Sequence, residues 1–192
     1  MLREKLANYN IILASQSPRR QQFLKDLDLS FSIQLKEVEE IYPDNLKAEE
    51  ITDFLADLKS KPFTDLKEND LLITSDTIVW LDGKALGKPK DENDAIAILK
   101  QLSGKKHQVI TSVSIKGAHF QKIFNDTTAV YFKELTTSEI SYYVKKHQPF
   151  DKAGAYGIQE WIGFIGIERI EGSYFNVMGL PVQKLYKELI NL

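Results

Sequence analysis

The stretch Leu71-Leu72-Ile73-Thr74-Ser75-Asp76-Thr77-Ile78-Val79-Trp80-Leu81 is followed at once by Asp82-Gly83 and Lys84-Ala85-Leu86, and it decides how the chain is read. Its aliphatic, β-branched and aromatic residues predict a strand, and Asp-Gly predicts the tight turn that sends Lys84-Ala85-Leu86 back along it. One residue violates the pattern. A carboxylate in the middle of an apolar strand is costly unless it is paired or bound to a cation. Asp76 is therefore either a functional group or a carboxylate that escapes to a strand edge or to backbone donors.

Working outward, Ile11-Ile12-Leu13-Ala14 predicts a short buried strand that runs into Ser15-Gln16-Ser17-Pro18. Ser17 suits an N-cap and Pro18 the first helical position, so a helix is expected to about Leu27 with Phe23, Leu24 and Leu27 inward. Ile51, Phe54, Leu55 and Leu58 fall at helical spacing and predict a helix over 48–60, with Lys59 beside the stripe. Downstream, Asp91 to Leu102 reads as a helix closed by Gly104, and His107 to Ile115 and Ile123 to Phe132 read as strands. Thr136 with Glu139 forms a capping-box signature for a helix to about Lys146. Phe150 to Trp161 reads as a loop. Phe164 to Ile170 and Tyr174 to Val177 read as a last strand pair turning at Glu171-Gly172, and Pro181 to Leu189 as a closing helix. Interleaved strands and helices with hairpins point to an α/β fold with a mixed sheet, in a single domain over residues 1–192 or one compact unit of two small lobes.

Composition narrows the function classes. Of 192 residues, 43% are hydrophobic and 27% charged, the balance of a chain with a real core. No cysteine is present, which excludes disulfides and thiolate metal sites. The formal net charge of −2 and the lack of a basic block argue against nucleic acid as a partner. No apolar run approaches the roughly 18 residues that cross a bilayer, and Met1 to Asn10 lacks the apolar core of a signal peptide. A cytoplasmic protein without membrane contact is expected. The oligomeric state is open, with a homodimer among the options.

Five segments carry chemistry. Ser15-Gln16-Ser17-Pro18-Arg19-Arg20 places serine hydroxyls and guanidiniums at a helix N-terminus, where unpaired N–H groups favour anions. An ordinary capped helix with two exposed arginines is the competing account. Ser75-Asp76-Thr77 offers a metal ligand or general base. Gly87-Lys88-Pro89 offers a cation on a fixed backbone, or a solvated turn. Glu39-Glu40 offers hard oxygen ligands for Mg²⁺ or Mn²⁺, or a charged loop. Asp151 to Gln159 (DKAGAYGIQ) combines small residues, which admit a ligand close to the backbone, with a glutamine whose donor and acceptor match the N3–H and O4 edge of uracil or thymine. His107, His119 and His147 form no cluster, and neither a Walker A loop nor a dinucleotide glycine motif occurs.

Taken in order, LASQSPRR, SDTIV, GKPKD, LSGKKHQVIT, DKAGAYGIQ and IEGSYFNVMGLP resemble the signatures of the Maf family of nucleotide pyrophosphatases, also called septum-formation inhibitor proteins, over almost the whole chain. The resemblance implies a mixed, twisted sheet flanked by helices, in two lobes around a central cleft, similar to the inosine triphosphate pyrophosphatases. It implies hydrolysis of a nucleoside triphosphate to a monophosphate and pyrophosphate with a divalent cation, Mg²⁺ or Mn²⁺. By position, Asp76 would be the catalytic proton acceptor and a metal ligand, with Glu40 as the second. Arg19, Thr77 and Gln159 would govern substrate choice. Ser15, Arg20, Lys59 and Lys88 would bind phosphate. The 151–159 loop is similar to the branch that acts on dTTP and UTP. Ser60 and Glu39 stand where the family commonly has Ala and Asp, and residues 36–46 diverge. The association with septum formation keeps a second reading open, a non-catalytic regulator that binds a nucleotide or a division partner.

Overall fold

A computed structural model describes all residues, Met1–Leu192. It contains helices α1 (Leu2–Lys5), α2 (Pro18–Asp26), α3 (Glu49–Ser60), α4 (Glu92–Leu102), α5 (Thr137–His147), α6 (Trp161–Gly166), α7 (Tyr174–Val177) and α8 (Val182–Ile190). The strands are β1 (Asn10–Leu13), β2 (Phe31–Ile33), β3 (Asp70–Leu81), β4 (Lys84–Leu86), β5 (Lys106–Lys116), β6 (Gln121–Phe132) and β7 (Ile167–Glu171). They form one seven-stranded sheet in the order β2-β1-β3-β5-β6-β7, with β4 paired to β3. The sheet is mixed, as expected: β1 runs parallel to β2 and β3, while β3–β4 and β6–β7 are antiparallel.

The chain divides into two compact units. The first comprises Met1–Asp76, Thr111–Asp126 and Gly179–Leu192, and the second Thr77–Ile110 and Thr127–Met178. The boundary in β3 falls directly after Asp76.

In the first unit, β1 and the start of β3 pair from Asn10↔Asp70 to Leu13↔Ile73, and Leu13, Leu71, Leu72 and Ile73 are fully buried. Each such side chain contributes about 1.5–3 kcal/mol through burial. As predicted, Ser17 caps α2 by accepting from the Arg20 N–H, and Pro18 opens the helix. The buried stripe of α3 is rotated from the apolar spacing. It consists of Ile51, Thr52, Leu55, Ala56 and Ser60, with Phe54 and Leu58 only half-buried. Polar contacts help to set this face. The Thr74 hydroxyl donates to the Ala56 carbonyl at 2.6 Å, the Ser112 hydroxyl lies 2.6 Å from both Thr52 Oγ1 and Asp53 Oδ1, and Gln121 Nε2 reaches Asp57 and Ser60.

The second unit holds the larger apolar cluster, with Val79, Leu99, Leu102, Val130, Ile140, Tyr143 and Ile162 among its members. The expected capping box opens α5: Thr136 accepts from the Glu139 N–H, and the Glu139 carboxylate accepts from the Thr136 N–H. One expectation is overturned here. Phe164–Gly166 ends helix α6, and Tyr174–Val177 is the short helix α7 rather than a strand. Ser173 caps α7 through the Asn176 N–H, and the buried Asn176 amide donates to Val109 O (3.0 Å) and Thr128 Oγ1 (3.1 Å). A cap plus two tertiary bonds outweigh the strand propensity of Tyr, Phe and Val. Helix α1 and strand β2 form in segments where the sequence pattern predicts no element.

His107 lies 2% exposed among Phe132 and Tyr156, with Nε2 2.7 Å from the Tyr156 hydroxyl. Burial holds its pKa down, from 6.5 to about 4. The folded state keeps this imidazole neutral, whereas the unfolded chain protonates it below pH 6.5, so its contribution is complete above that pH and is lost as pH falls toward 4. The expected loss is about 3 kcal/mol at most. Denaturant titrations from pH 7 to pH 4 check this: wild type should lose stability more steeply than His107→Gln, and parallel profiles would remove His107 as the cause.

Candidate active site

The first unit assembles six of the nine residues singled out from the sequence. Asp76, 7% exposed on β3, accepts an ion pair from Lys59 Nζ at 2.6 Å. The same ammonium lies 3.1 Å from Glu40 Oε1. The strand carboxylate is thus neither at an edge nor left to backbone donors. It shares a lysine with a second, half-exposed carboxylate from the irregular segment before α3. The clamp from Thr74 to Ala56 sits within a few residues of this pair on both elements, which fixes the spacing of β3 and α3 where Lys59 meets Asp76.

Arg20 is the second organising residue. Its Nε donates to the Gly179 carbonyl at 2.9 Å, and one terminal nitrogen donates to the Ser75 carbonyl at 2.8 Å and to Ser15 Oγ at 3.4 Å. Burial lowers its pKa. The carboxylates of Asp76 and Glu40 oppose that shift, and neighbouring Arg19 adds to it. A planar guanidinium suits this task because its fork presents donors in several fixed directions. Ser15, itself 7% exposed, also accepts from the Ser17 N–H at 3.2 Å. Both bonds end on its oxygen, so its proton is available to an acceptor. The competing account of two exposed arginines on a plain capped helix does not hold for Arg20, which is tied into three segments. Those partners are mostly backbone carbonyls, which no side-chain motif reveals.

Lys59 thus pairs with two carboxylates whose charges also act on Arg20, and Arg19 adjoins Arg20 at the head of α2. Such a cluster receives anions, because phosphate oxygens can take over cations that the carboxylates hold at rest. A divalent cation fits the same donors. Mg²⁺ is typically held by one or two carboxylates together with substrate phosphates and water, and Asp76 and Glu40 supply two hard oxygens. No group of three or more His, Cys, Asp or Glu side chains is arranged to hold a metal unaided.

Thr77, Lys88 and Gln159 belong to the second unit. There Gly154, with φ of +69° that favours glycine, donates its N–H to the Gly87 carbonyl at 3.0 Å. A side chain at Gly154 would begin 2.6 Å from Val79 Cγ2, so this glycine serves packing on β3. The bond brings the Gly87-Lys88 turn and the DKAGAYGIQ segment together. Lys88 is exposed and Thr77 half-buried. Gln159 is half-buried, yet its Oε1 is shut off from solvent and has no hydrogen-bond partner. An unpaired buried acceptor is unfavourable at rest and marks a place for a donor.

A mixed α/β fold whose cations and carboxylates converge at a helix N-terminus defines a class: a protein built to bind and process a phosphorylated ligand. Comparison with known proteins narrows it. The family model described as "Maf-like protein" matches residues 10–192, and the chain belongs to that family. It is 58% identical to a dTTP/UTP pyrophosphatase of Christiangramia forsetii over 98% of this chain and 97% of that protein. It is 58% identical to a dTTP/UTP pyrophosphatase of Flavobacterium johnsoniae over the full length of both, and 53% identical to one of Phocaeicola vulgatus over 98% and 99%. In fold it is similar to the Ham1 protein of Staphylococcus aureus (TM-score 0.53, 17% identity, 95% of this chain and 98% of that one). A Ham1 protein of Coxiella burnetii gives a TM-score of 0.52 at 16% identity, over 96% and 100%.

The resting ion pairs generate a prediction. Lys59→Met leaves Asp76 and Glu40 without their shared cation, and stability should fall by about 1–3 kcal/mol. Mg²⁺ should then raise the denaturation midpoint of the variant more than that of wild type, because only the variant has lost its internal cation. An equal response of the two proteins to Mg²⁺ would show that these carboxylates do not form a cation site.

Proposed function

We propose that this protein hydrolyses dTTP and UTP to the nucleoside monophosphate and pyrophosphate. The observation that carries the reading is the buried Asp76 held by Lys59 beside Glu40, in a chain 47–58% identical to relatives named dTTP/UTP pyrophosphatase. No observation favours the non-catalytic alternative, and an inactive regulator has no need of a carboxylate kept in an apolar strand.

In this reading the triphosphate docks on the Ser15 hydroxyl, the α2 N-terminus and the cations Arg20, Lys59 and Lys88. Phosphate oxygens draw Lys59 away from Asp76 and free its carboxylate. Asp76 then accepts a proton from a water whose oxygen bonds to the α-phosphorus, while the bond from that phosphorus to the bridging oxygen of pyrophosphate breaks. Asp76 and Glu40 would hold Mg²⁺ or Mn²⁺, which would neutralise charge on the triphosphate and the departing pyrophosphate. Arg19, Thr77 and Gln159 select the nucleotide, with Gln159 reading the N3–H and O4 edge of the base. The activity would serve cytoplasmic nucleotide pools. No helix is long and apolar enough to cross a membrane.

A turnover panel of the common ribo- and deoxyribonucleoside triphosphates, scoring pyrophosphate and orthophosphate separately, tests the reading. Pyrophosphate should appear fastest with dTTP and UTP and disappear in EDTA. Asp76→Asn should lower kcat by about a thousandfold while remaining folded, since Lys59 keeps Glu40 as a partner. Orthophosphate as the first product, or full activity in the variant, would overturn the mechanism.

A further inference from the structure

Gln159 lies in the segment from Asp151 to Glu160, whose only regular structure is a 3-10 turn at Ala153–Ala155. A glutamine that selects between bases faces a difficulty. Rotated by half a turn, its amide offers N–H and C=O in exchanged places, and cytosine, with an acceptor at N3 and a donor at N4, then fits as well as uracil. Discrimination requires that the amide and the backbone beneath it be held.

The structure braces that backbone, within the second unit. Tyr143, on α5, is fully buried, and its hydroxyl accepts from the Gly157 N–H at 3.0 Å. The same hydroxyl donates to Glu160 Oε2. Glu160 Oε1 is 3.2 Å from Lys152 Nζ, and Lys152, 8% exposed, also pairs with Asp151 at 2.6 Å. One phenol therefore fixes the backbone two residues before Gln159 and the side chain one residue after it, and the lysine ties the network to the start of the loop. The Gln159 amide is folded back over Gly157: a side chain there would begin 3.0 Å from Gln159 Nε2. Oε1 is left enclosed and unpaired. Burial and the Glu160 carboxylate raise the Tyr143 pKa well above the ordinary range, so the phenol stays protonated and keeps donating.

We infer that Tyr143, Glu160 and Lys152 are positioning residues that hold Gln159 in the one amide orientation suited to a uracil or thymine ring. The inference rests on the proposed nucleotide hydrolysis and on Gln159 as the base reader. It makes the selectivity conferred by Gln159 depend on residues that act through its backbone.

The test measures kcat/KM for dTTP, UTP and CTP in wild type, Gln159→Ala, Tyr143→Phe, Glu160→Gln and the Tyr143→Phe/Glu160→Gln double variant. The dTTP-to-CTP ratio should fall about tenfold in each single positioning variant, as expected for loss of one buried hydrogen bond. The double variant should be no worse than either single, because all three act through one chain of bonds. A purely structural role would lower turnover of every nucleotide alike and leave the ratio untouched. An unchanged ratio in Tyr143→Phe and Glu160→Gln, where Gln159→Ala lowers it, overturns the brace alone. An unchanged ratio in Gln159→Ala removes Gln159 as base reader and the brace with it. Absence of any turnover in wild type overturns the hydrolase reading on which both rest.

Discussion

The first unit is organised around one unfavourable placement: a carboxylate inside a buried strand. Leu71, Leu72 and Ile73 before Asp76, and Ile78 and Val79 after it, are almost wholly enclosed. An unpaired charge there would cost several kcal/mol, more than most single contacts return. Lys59 offsets that penalty, so the position of α3 is set by the charge on β3 and not by apolar packing alone. The same requirement explains why the inner face of α3 carries Thr52, Asp53 and Ser60, which hydrogen-bond to Ser112 and Gln121. Polar contacts are directional, and they hold a helix in register where an apolar face would let it slide.

The two units place their polar side chains differently. In the first, side chains on regular elements meet through ion pairs and a guanidinium that collects carbonyls from β3 and from Gly179. In the second, Gln159 sits on irregular backbone and depends on a buried phenol, a carboxylate and a lysine to hold its surroundings. Regular elements position side chains through their own geometry, whereas a loop needs external bonds to do the same.

What could be read from the sequence follows from the range of each interaction. The strand at 71–81, the Asp82-Gly83 turn, the Ser17 and Thr136 caps and most of the helices are encoded within a few residues, and they stand where expected. The segment 174–177 did not read as a helix because its deciding bonds, from Asn176 to Val109 and Thr128, join residues about fifty or more positions apart. Asp76 announced itself by violating a pattern, and Lys59 lay beside a visible stripe. The meeting of Lys59 with Glu40 had no local signal, because the segment that delivers Glu40 has no regular structure. Tyr143 was illegible for another reason. At helical spacing it reads as core, which it is, and only its hydroxyl partners distinguish it from a phenylalanine.

The resting arrangement also bears on how a strongly basic cluster can coexist with a stable fold. Arg19, Arg20 and Lys59 without counterions would repel one another, and Arg20, already disfavoured by burial, would be further destabilised by Arg19. Asp76 and Glu40 relieve this in the absence of ligand. A phosphate chain can relieve it equally well, and once it does so the carboxylates are released to other partners. The ion pairs that stabilise the free protein are thus the ones a polyanion can exchange. In the proposed reaction, binding would convert the carboxylates from counterions into bases or cation ligands without any charge having to enter an apolar site alone. A lysine is suited to that exchange because its flexible stem lets a point charge change partners, whereas the guanidinium of Arg20, fixed by Gly179, Ser75 and Ser15, stays in place as the frame around which the exchange occurs.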